Sequence, residues 1–285
     1  MLINSHNTVW NVMKKSILLI LTTILFMSES CAISKESSSI VRLETTYGNI
    51  TVKLYPETNK HRENFLKLVN EGFYNGVLFH RVIADFMIQT GDPDSKKANP
   101  KASLGSGDVG YTIPAEFIYP KYYHKRGALS AARQGDQTNP LKASSGCQFY
   151  IVQGRTFTDA ELNNMEKNNE QKLEAKLFQE VVNTKQEEVK KYRLERSQVK
   201  LDALRDSILA EVKVTIEKNP SYKFTEQQRT DYKTLGGTPH LDGDYTVFGE
   251  VIEGLDIVEK ISKTKTGLND RPVEDIKVLK AETVN

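Results

Sequence analysis

The sequence predicts a mainly β protein, an antiparallel barrel interrupted by an α-helical arm. Two observations predict the barrel: short segments alternate apolar and polar residues with period two, and the stretches joining them carry Gly and other turn formers. A third predicts the arm. From Thr158 to Asn219 there is neither Pro nor Gly, charge is dense, and apolar residues recur at three and four positions. The formal net charge is only +2, which gives no reason to expect a nucleic-acid partner, and none of the usual nucleic-acid modules occurs.

The first 31 residues read as an address. Lys14-Lys15 precede an apolar run from Ile17 to Met27, too short to cross a bilayer, and the small residues Ser28 and Ser30 follow. Residues 1–31 are therefore expected to be a secretory signal peptide, and Met13 would start a compact version of it. Cys31 lies where cleavage is expected and resembles the lipidated first residue of a bacterial lipoprotein, although Ser28 and Glu29 depart from the usual lipobox. The expected location is exported, in the periplasm or outer membrane, with a lipid anchor to a bacterial membrane through Cys31. Residues 32–39 read as a polar tether. Cys147 then stands alone, and a buried thiol without a disulfide is expected.

The first part of the barrel, 40–154, opens with a hairpin. Val41, Leu43 and Thr45 alternate, as do Ile50, Val52 and Leu54, with Tyr47-Gly48-Asn49 as turn chemistry between them. Asn64, Phe65, Leu68 and Val69 follow at helical spacing, with Gly72 as the stop. Gly105-Ser106-Gly107-Asp108-Val109-Gly110 matches a dinucleotide-binding fingerprint by letter, but a Lys- and Pro-containing loop precedes it and an extended segment follows, so it is read as a flexible loop. Gly127–Ala132 and Gln148–Val152 are strand-like.

The helical insertion is expected over 155–235. Thr158 with Glu161 makes a capping box, Asn219-Pro220 makes an end, and Thr184 with Glu187 offers a second start. One helix over the whole span would approach ~90 Å, so two antiparallel helices are expected, with a short third from Thr225 to Tyr232. Such an arm is either solvated and self-packed or a surface for a protein partner or client. In the second part, 236–285, Leu255–Ser262 is expected as a helix with Ile257, Val258 and Ile261 inward, and Ile276–Leu279 as the closing strand beside Val41–Leu43.

The stretch that carries chemistry is Phe79-His80-Arg81-Val82-Ile83, followed by Phe86-Met87-Ile88-Gln89-Thr90-Gly91-Asp92. A permanently charged Arg sits inside an apolar strand, with an adaptable greasy surface from Phe86 and Met87 and, in Gln89, a side chain able to hold a guanidinium. This stretch resembles the signature of the cyclophilin family of peptidyl-prolyl isomerases. The resemblance continues through Gly127–Ala132, Ser145–Ile151 and Leu241–Gly249, and covers roughly 40–154 and 236–284.

The resemblance implies a closed eight-stranded antiparallel barrel with two capping helices, and isomerisation of X-Pro bonds in proline-containing unfolded or folding polypeptides without a cofactor. It makes Arg81 the catalytic donor, with Gln89 orienting it. Phe86, Met87, Tyr150 and Leu241 would line the proline pocket, and Ala132, Arg133 and Gln148 the groove for the preceding peptide. His240 stands where many members have Trp, Tyr245 where many have His, and Tyr150 where Phe is common. A non-catalytic peptide-binding or scaffolding lipoprotein is the alternative. Other chemistries find little support: the five His residues form no metal-ligand pair, and no nucleophile elbow occurs.

Overall fold

The computed structural model describes residues 39–284 except 101, 219, 221 and 222. The expected signal peptide, Cys31 and all of the tether but Ser39 lie outside the described residues.

β1 (Ile40–Thr45) and β2 (Gly48–Leu54) form the expected hairpin. Their alternation sends Val41, Leu43, Ile50, Val52 and Leu54 inward, and all five are fully buried. α1 (Asn59–Asn70) buries His61, Phe65, Leu68 and Val69 along one face. Thr58 gives that helix no side-chain cap. Glu116, from a distant loop, supplies one instead: its carboxylate accepts the backbone N–H of Lys60 at 3.1 Å and of His61 at 3.0 Å, where helix-end donors lack partners.

β3 (Arg81–Ile83), β4 (Met87–Thr90), β6 (Ala128–Ala131), β8 (Phe149–Val152), β9 (Val247–Glu253) and β10 (Val278–Val284) complete the main sheet, while β5 (Thr112–Ile113) and β7 (Ser144–Ser145) pair separately. The main sheet has eight strands in the order β10-β1-β2-β9-β6-β8-β4-β3, antiparallel throughout. Aromatic rings fill its concave side, with Phe65 edge-on to Phe149 at 5.1 Å and Tyr74 edge-on to Phe149 at 5.3 Å. α6 (Leu255–Ser262) covers one end, with Val258 and Ile261 buried. Ile257, expected inward as well, is only partly buried at the edge of the core.

The sheet is curled rather than closed by ladders on every side. Just before its edge strands β3 and β10, the described residues form an isolated bridge, Leu78 with Lys277, flanked by the Phe79 N–H donating to Ile276 O at 2.8 Å and the Val278 N–H to Val77 O at 2.9 Å. The last strand also lies later than expected: Val41–Leu43 pair with Ala281–Thr283, not with Ile276–Leu279. Ile276 and Val278 are apolar because they are fully buried where the chain crosses residues 77–79, so their alternation marks that crossing and only the start of the ladder.

The helical segment contains α2 (Asp159–Thr184), α3 (Gln186–Leu194), α4 (Gln198–Lys218) and α5 (Glu226–Thr234). The Thr158–Glu161 capping box is present, and a second one joins Thr225 to Gln228. The expected start at Thr184 is not used. Its hydroxyl donates to Val181 O at 2.8 Å, which spends it inside α2, and the short α3 begins after Lys185 without a side-chain cap. Ile208, Val212 and Ile216 of α4 pack on Leu173, Leu177 and Val181 of α2. α4 carries the chain back to the start of α2, where Glu166 accepts the Phe224 N–H at 3.0 Å and an Arg229 N–H at 2.8 Å. The two long helices are therefore antiparallel.

The roots of this segment belong to the sheet domain. Phe157, Leu162, Phe224 and Tyr232 form one buried cluster that includes Tyr123. The Gly237 N–H donates to Arg155 O at 3.0 Å and the Arg155 N–H to Gly237 O at 3.4 Å, so the outgoing and returning strands of chain clasp each other.

Candidate active site

The β3–β4 hairpin sets the site. Its register places Arg81 directly opposite Gln89, while Val82 points to the core and is 1% exposed. Arg81 Nη1 lies 3.5 Å from Gln89 Oε1, the long end of a hydrogen bond. On the other side of the guanidinium, Arg81 Nε lies 3.5 Å from Asp270 Oδ2. Asp270 was not foreseen. It sits in a turn where Asn269 and Asp270 both take positive φ, 58° and 59°, and nothing in local spacing relates that turn to Arg81.

Gln89 is held in turn. Its Nε2 donates to Gln148 Oε1 at 3.0 Å, and Gln148 Nε2 donates to the carbonyls of Gly105 at 3.0 Å and Gly107 at 2.8 Å. Residues Gly105 and Gly107 are thus tied to the wall of the site. A Cβ on Gly107 would lie 2.1 Å from Asp92 Oδ1, and the Gly105 N–H donates to Asp92 Oδ2 at 2.5 Å. A buried carboxylate of the chain itself takes the Gly105 N–H, and β5, not a helix, follows.

Beside Arg81 opens a cleft of about 1100 Å³. Of the expected site residues, Arg81, Phe86, Met87, Gln89, Ala132, Arg133, Tyr150, Leu241 and Tyr245 line it. Two do not. Gln148 is buried and spends its amide on Gln89 and the 105–107 backbone, so it braces the wall instead of gripping peptide. His240 stacks on Phe86 with ring centroids 5.6 Å apart, backing the rim. Arg133 adds little free charge to the groove: its side chain is 4% exposed, it donates to Asp244 O at 2.8 Å and Asp136 Oδ1 at 2.6 Å, and its guanidinium lies 4.3 Å from the Tyr245 ring centre. The far wall, Gly267–Val273, has no motif in sequence to mark it; Arg271 ties it to the carbonyl of Asn99 at 2.8 Å.

One other array has nucleophile-like connectivity. Ser144 Oγ lies 2.9 Å from His61 Nε2, and His61 Nδ1 lies 2.6 Å from Glu116 Oε2. Ser144 and His61 are 1% and 2% exposed, so no substrate reaches them and the array is structural. Among the described residues no cluster of His, Cys, Asp or Glu could hold a metal ion. Cys147 is a buried free thiol, pushed up to about 11 chiefly by burial.

Comparison with known proteins fits this geometry. The model of the family "Cyclophilin type peptidyl-prolyl cis-trans isomerase/CLD" matches residues 40–206 and 227–283. The chain belongs to the cyclophilin-type peptidyl-prolyl cis-trans isomerases. A Staphylococcus saprophyticus protein named as a peptidyl-prolyl cis-trans isomerase is 31% identical, over 85% of this chain and 90% of its own. A Streptococcus pyogenes protein named as a bifunctional phosphatase/peptidyl-prolyl cis-trans isomerase is 30% identical over 83% of this chain but 37% of its own. The crystal structure of a Cryptosporidium parvum cyclophilin-type isomerase shares the fold, with a TM-score of 0.51 at 20% identity, covering 87% of this chain and 98% of that one.

Burial also ties this cyclophilin's stability to pH. His80, beside Arg81, is held down to about 4 chiefly by burial, and burial likewise lowers His61 from the ordinary 6.5. Between those values the unfolded chain takes a proton that the folded one refuses, so stability is full above pH 6.5 and falls as pH drops toward 4. For His80 alone the loss from pH 7 to pH 5 is about 2 kcal/mol. Calorimetric melting at pH 7, 6 and 5 should show Tm falling by at least ~4 °C, with a smaller fall in His80→Gln. A Tm independent of pH over that range would contradict the assignment.

Proposed function

We propose that this protein accelerates cis-trans isomerisation of X-Pro bonds in exported polypeptides, with Arg81 stabilising the twisted imide. The observation that carries this reading is a guanidinium held from two sides, by Gln89 and Asp270, at the edge of an apolar cleft. Resonance gives the imide C–N bond double-bond character and a barrier of ~18–20 kcal/mol. At the top of the barrier the nitrogen is pyramidal and carries a lone pair. An Arg stays protonated and offers rigid N–H donors to that lone pair, while the pocket formed by Phe86, Met87, Tyr150 and Leu241 grips the proline ring. No bond is cleaved and no electron is transferred, so the chemistry calls for no cofactor or nucleophile. The deciding assay is acceleration of isomerisation in a short X-Pro peptide; peptide binding without turnover would favour a scaffolding or chaperone role instead.

Asp270 has a defined part in this scheme. Its side chain and that of Arg81 are 47% and 42% exposed, so their ion pair contributes little, and Asp270→Asn should leave folding stability within roughly 1 kcal/mol of the parent. Losing one of the two holds should lower kcat/KM by roughly threefold to tenfold, since misplacing a donor wastes part of its transition-state interaction. Unchanged kcat/KM in that variant would remove Asp270 from the mechanism.

The mature chain is placed outside the cytoplasm and lipidated at Cys31, on the strength of the charged start, short apolar run and Cys in sequence. Mass spectrometry that finds Cys31 unmodified, or a mature terminus elsewhere, would count against this. The distal helices are read as an arm inserted into the family fold for contact with longer clients. The family match lapses only at residues 207–226, the latter part of α4 and the chain leading into α5. Replacing 167–222 by a short linker keeps both roots. It should leave short-peptide kcat/KM within about twofold while weakening binding of unfolded protein clients, because contacts made equally to ground and transition states affect binding alone. Equal client binding with and without the arm would mark it as a solvated insertion.

A further inference from the structure

Beneath the proline pocket runs a buried polar chain that the mechanism above does not use. The Tyr150 ring forms part of the cleft wall, and its hydroxyl is turned inward, 3.1 Å from Nε2 of His124. His124 is fully buried. Its Nδ1 lies 3.0 Å from Asp242 Oδ1, and the same oxygen accepts the His124 backbone N–H at 2.9 Å. Asp242 Oδ2 accepts the Tyr232 hydroxyl at 2.6 Å. Tyr232 is 0% exposed and belongs to α5, the last helix of the helical segment. Four side chains therefore connect that segment to the wall of the pocket.

In the His124 tautomer that carries its proton on Nδ1, Asp242 accepts from Tyr232 and from His124, and Nε2 is left to accept from the Tyr150 hydroxyl. Burial holds the Tyr150 phenol well above its ordinary range, so it keeps the proton it donates. The His124 ring also lies nearly parallel to that of Tyr150, at 13°, and Tyr245 meets Tyr150 edge-on at 6.1 Å. The backbone of His124 is fixed by the chain that follows α5, where the Thr238 N–H donates to its carbonyl at 2.8 Å. A Phe at position 150 would pack the same volume with no polar atom to satisfy. Burying four polar side chains is costly unless each is paired, and in this order each finds a partner in the next.

We propose that Tyr232 and Asp242 are positioning residues for the proline pocket, acting through His124 to fix the depth of the Tyr150 ring, so that the grip on a prolyl ring depends on the seating of α5. This rests on the isomerase reading of the cleft, but it concerns ground-state grip and not the Arg81 donor. Its signature is therefore in KM and in peptide affinity, with kcat spared.

The test is a double-mutant cycle on the full chain, reading kcat and KM for a short X-Pro peptide and the Kd of the same peptide by NMR titration. Tyr232→Phe should raise KM and Kd by roughly threefold to tenfold with kcat within about twofold, since a buried carboxylate loses a partner and the chain slackens. In a Tyr150→Phe background the same change should add less than about 1.5-fold, because the path ends at a hydroxyl that is gone. Equal factors in both backgrounds, or unchanged KM and Kd in a Tyr232→Phe protein with wild-type circular dichroism, would overturn the proposal. If Tyr232→Phe does not fold, Asp242→Asn, which keeps shape and one acceptor oxygen, must show the same loss of effect in the Tyr150→Phe background. A wild-type chain without turnover would refute the isomerase reading, while the Kd cycle would still decide this one.

Discussion

Replacing Arg81 by Ala should lower kcat/KM on a short X-Pro peptide by roughly 10²–10³ while the protein keeps its fold. A single donor aimed at charge that develops in the transition state is typically worth ~2.7–4 kcal/mol. Nothing comparable is lost from stability: the Arg81 side chain is 42% exposed, its partners are Gln89 and an exposed Asp270, and its neighbour Val82 continues to fill the core. The drop should fall on kcat more than on KM, because the proline pocket is built from other side chains. Arg81→Lys separates charge from geometry. A point charge without the planar fork should recover only part of the rate. Near-wild-type turnover in Arg81→Ala, with circular dichroism unchanged, would mean that another group does the work.

A second large effect is expected far from any substrate atom. Gly91 follows β4 with φ +98°, and a Cβ there would lie 2.2 Å from Cys147 O and 2.9 Å from Gln148 Cα. Both are backbone atoms leading into β8, so no side chain can rotate out of the way. Gly91→Ala combines that collision with a backbone conformation costing an L-residue about 1–2 kcal/mol, and a total loss above ~3 kcal/mol is expected. For a chain of this size that is a fall in Tm of roughly 6–12 °C. Gly76→Ala is the control: φ is +86° there but nothing lies within 4 Å, so only the conformational part should appear. Equal losses in the two variants would show that the predicted collision is relieved.

How much of this was legible follows from where each signal resides. Period-two alternation exposed β1 and β2, because each has a buried face, while the Arg81 strand stood out as an apolar run holding one charge. The capping box at Thr158 was readable, since both partners lie within four residues. Thr184 misled because a hydroxyl can cap the next helix or donate back into its own, and only the packing of Val181 and Val182 against α4 decides which. Gln148 was placed in the groove, yet its partners, Gln89 and the 105–107 carbonyls, come from two other segments that only the folded chain assembles. Asp270 and the Tyr232–Asp242–His124 chain were invisible for the same reason: polar pairs that meet across the fold leave no periodicity behind.

The clasp between Arg155 and Gly237 has a further consequence, for how freely this chain can vary. A Cβ on Gly154 would lie 2.4 Å from Gly237 Cα, so the departing and returning backbones are already in contact before the helices begin. The entropy of bringing the two ends together is met at that point, and chain added beyond it raises the cost only logarithmically, by about 0.6 kcal/mol per doubling. The clasp therefore acts as a socket. A change in the length of chain between Glu166 and Lys223 should cost the fold little.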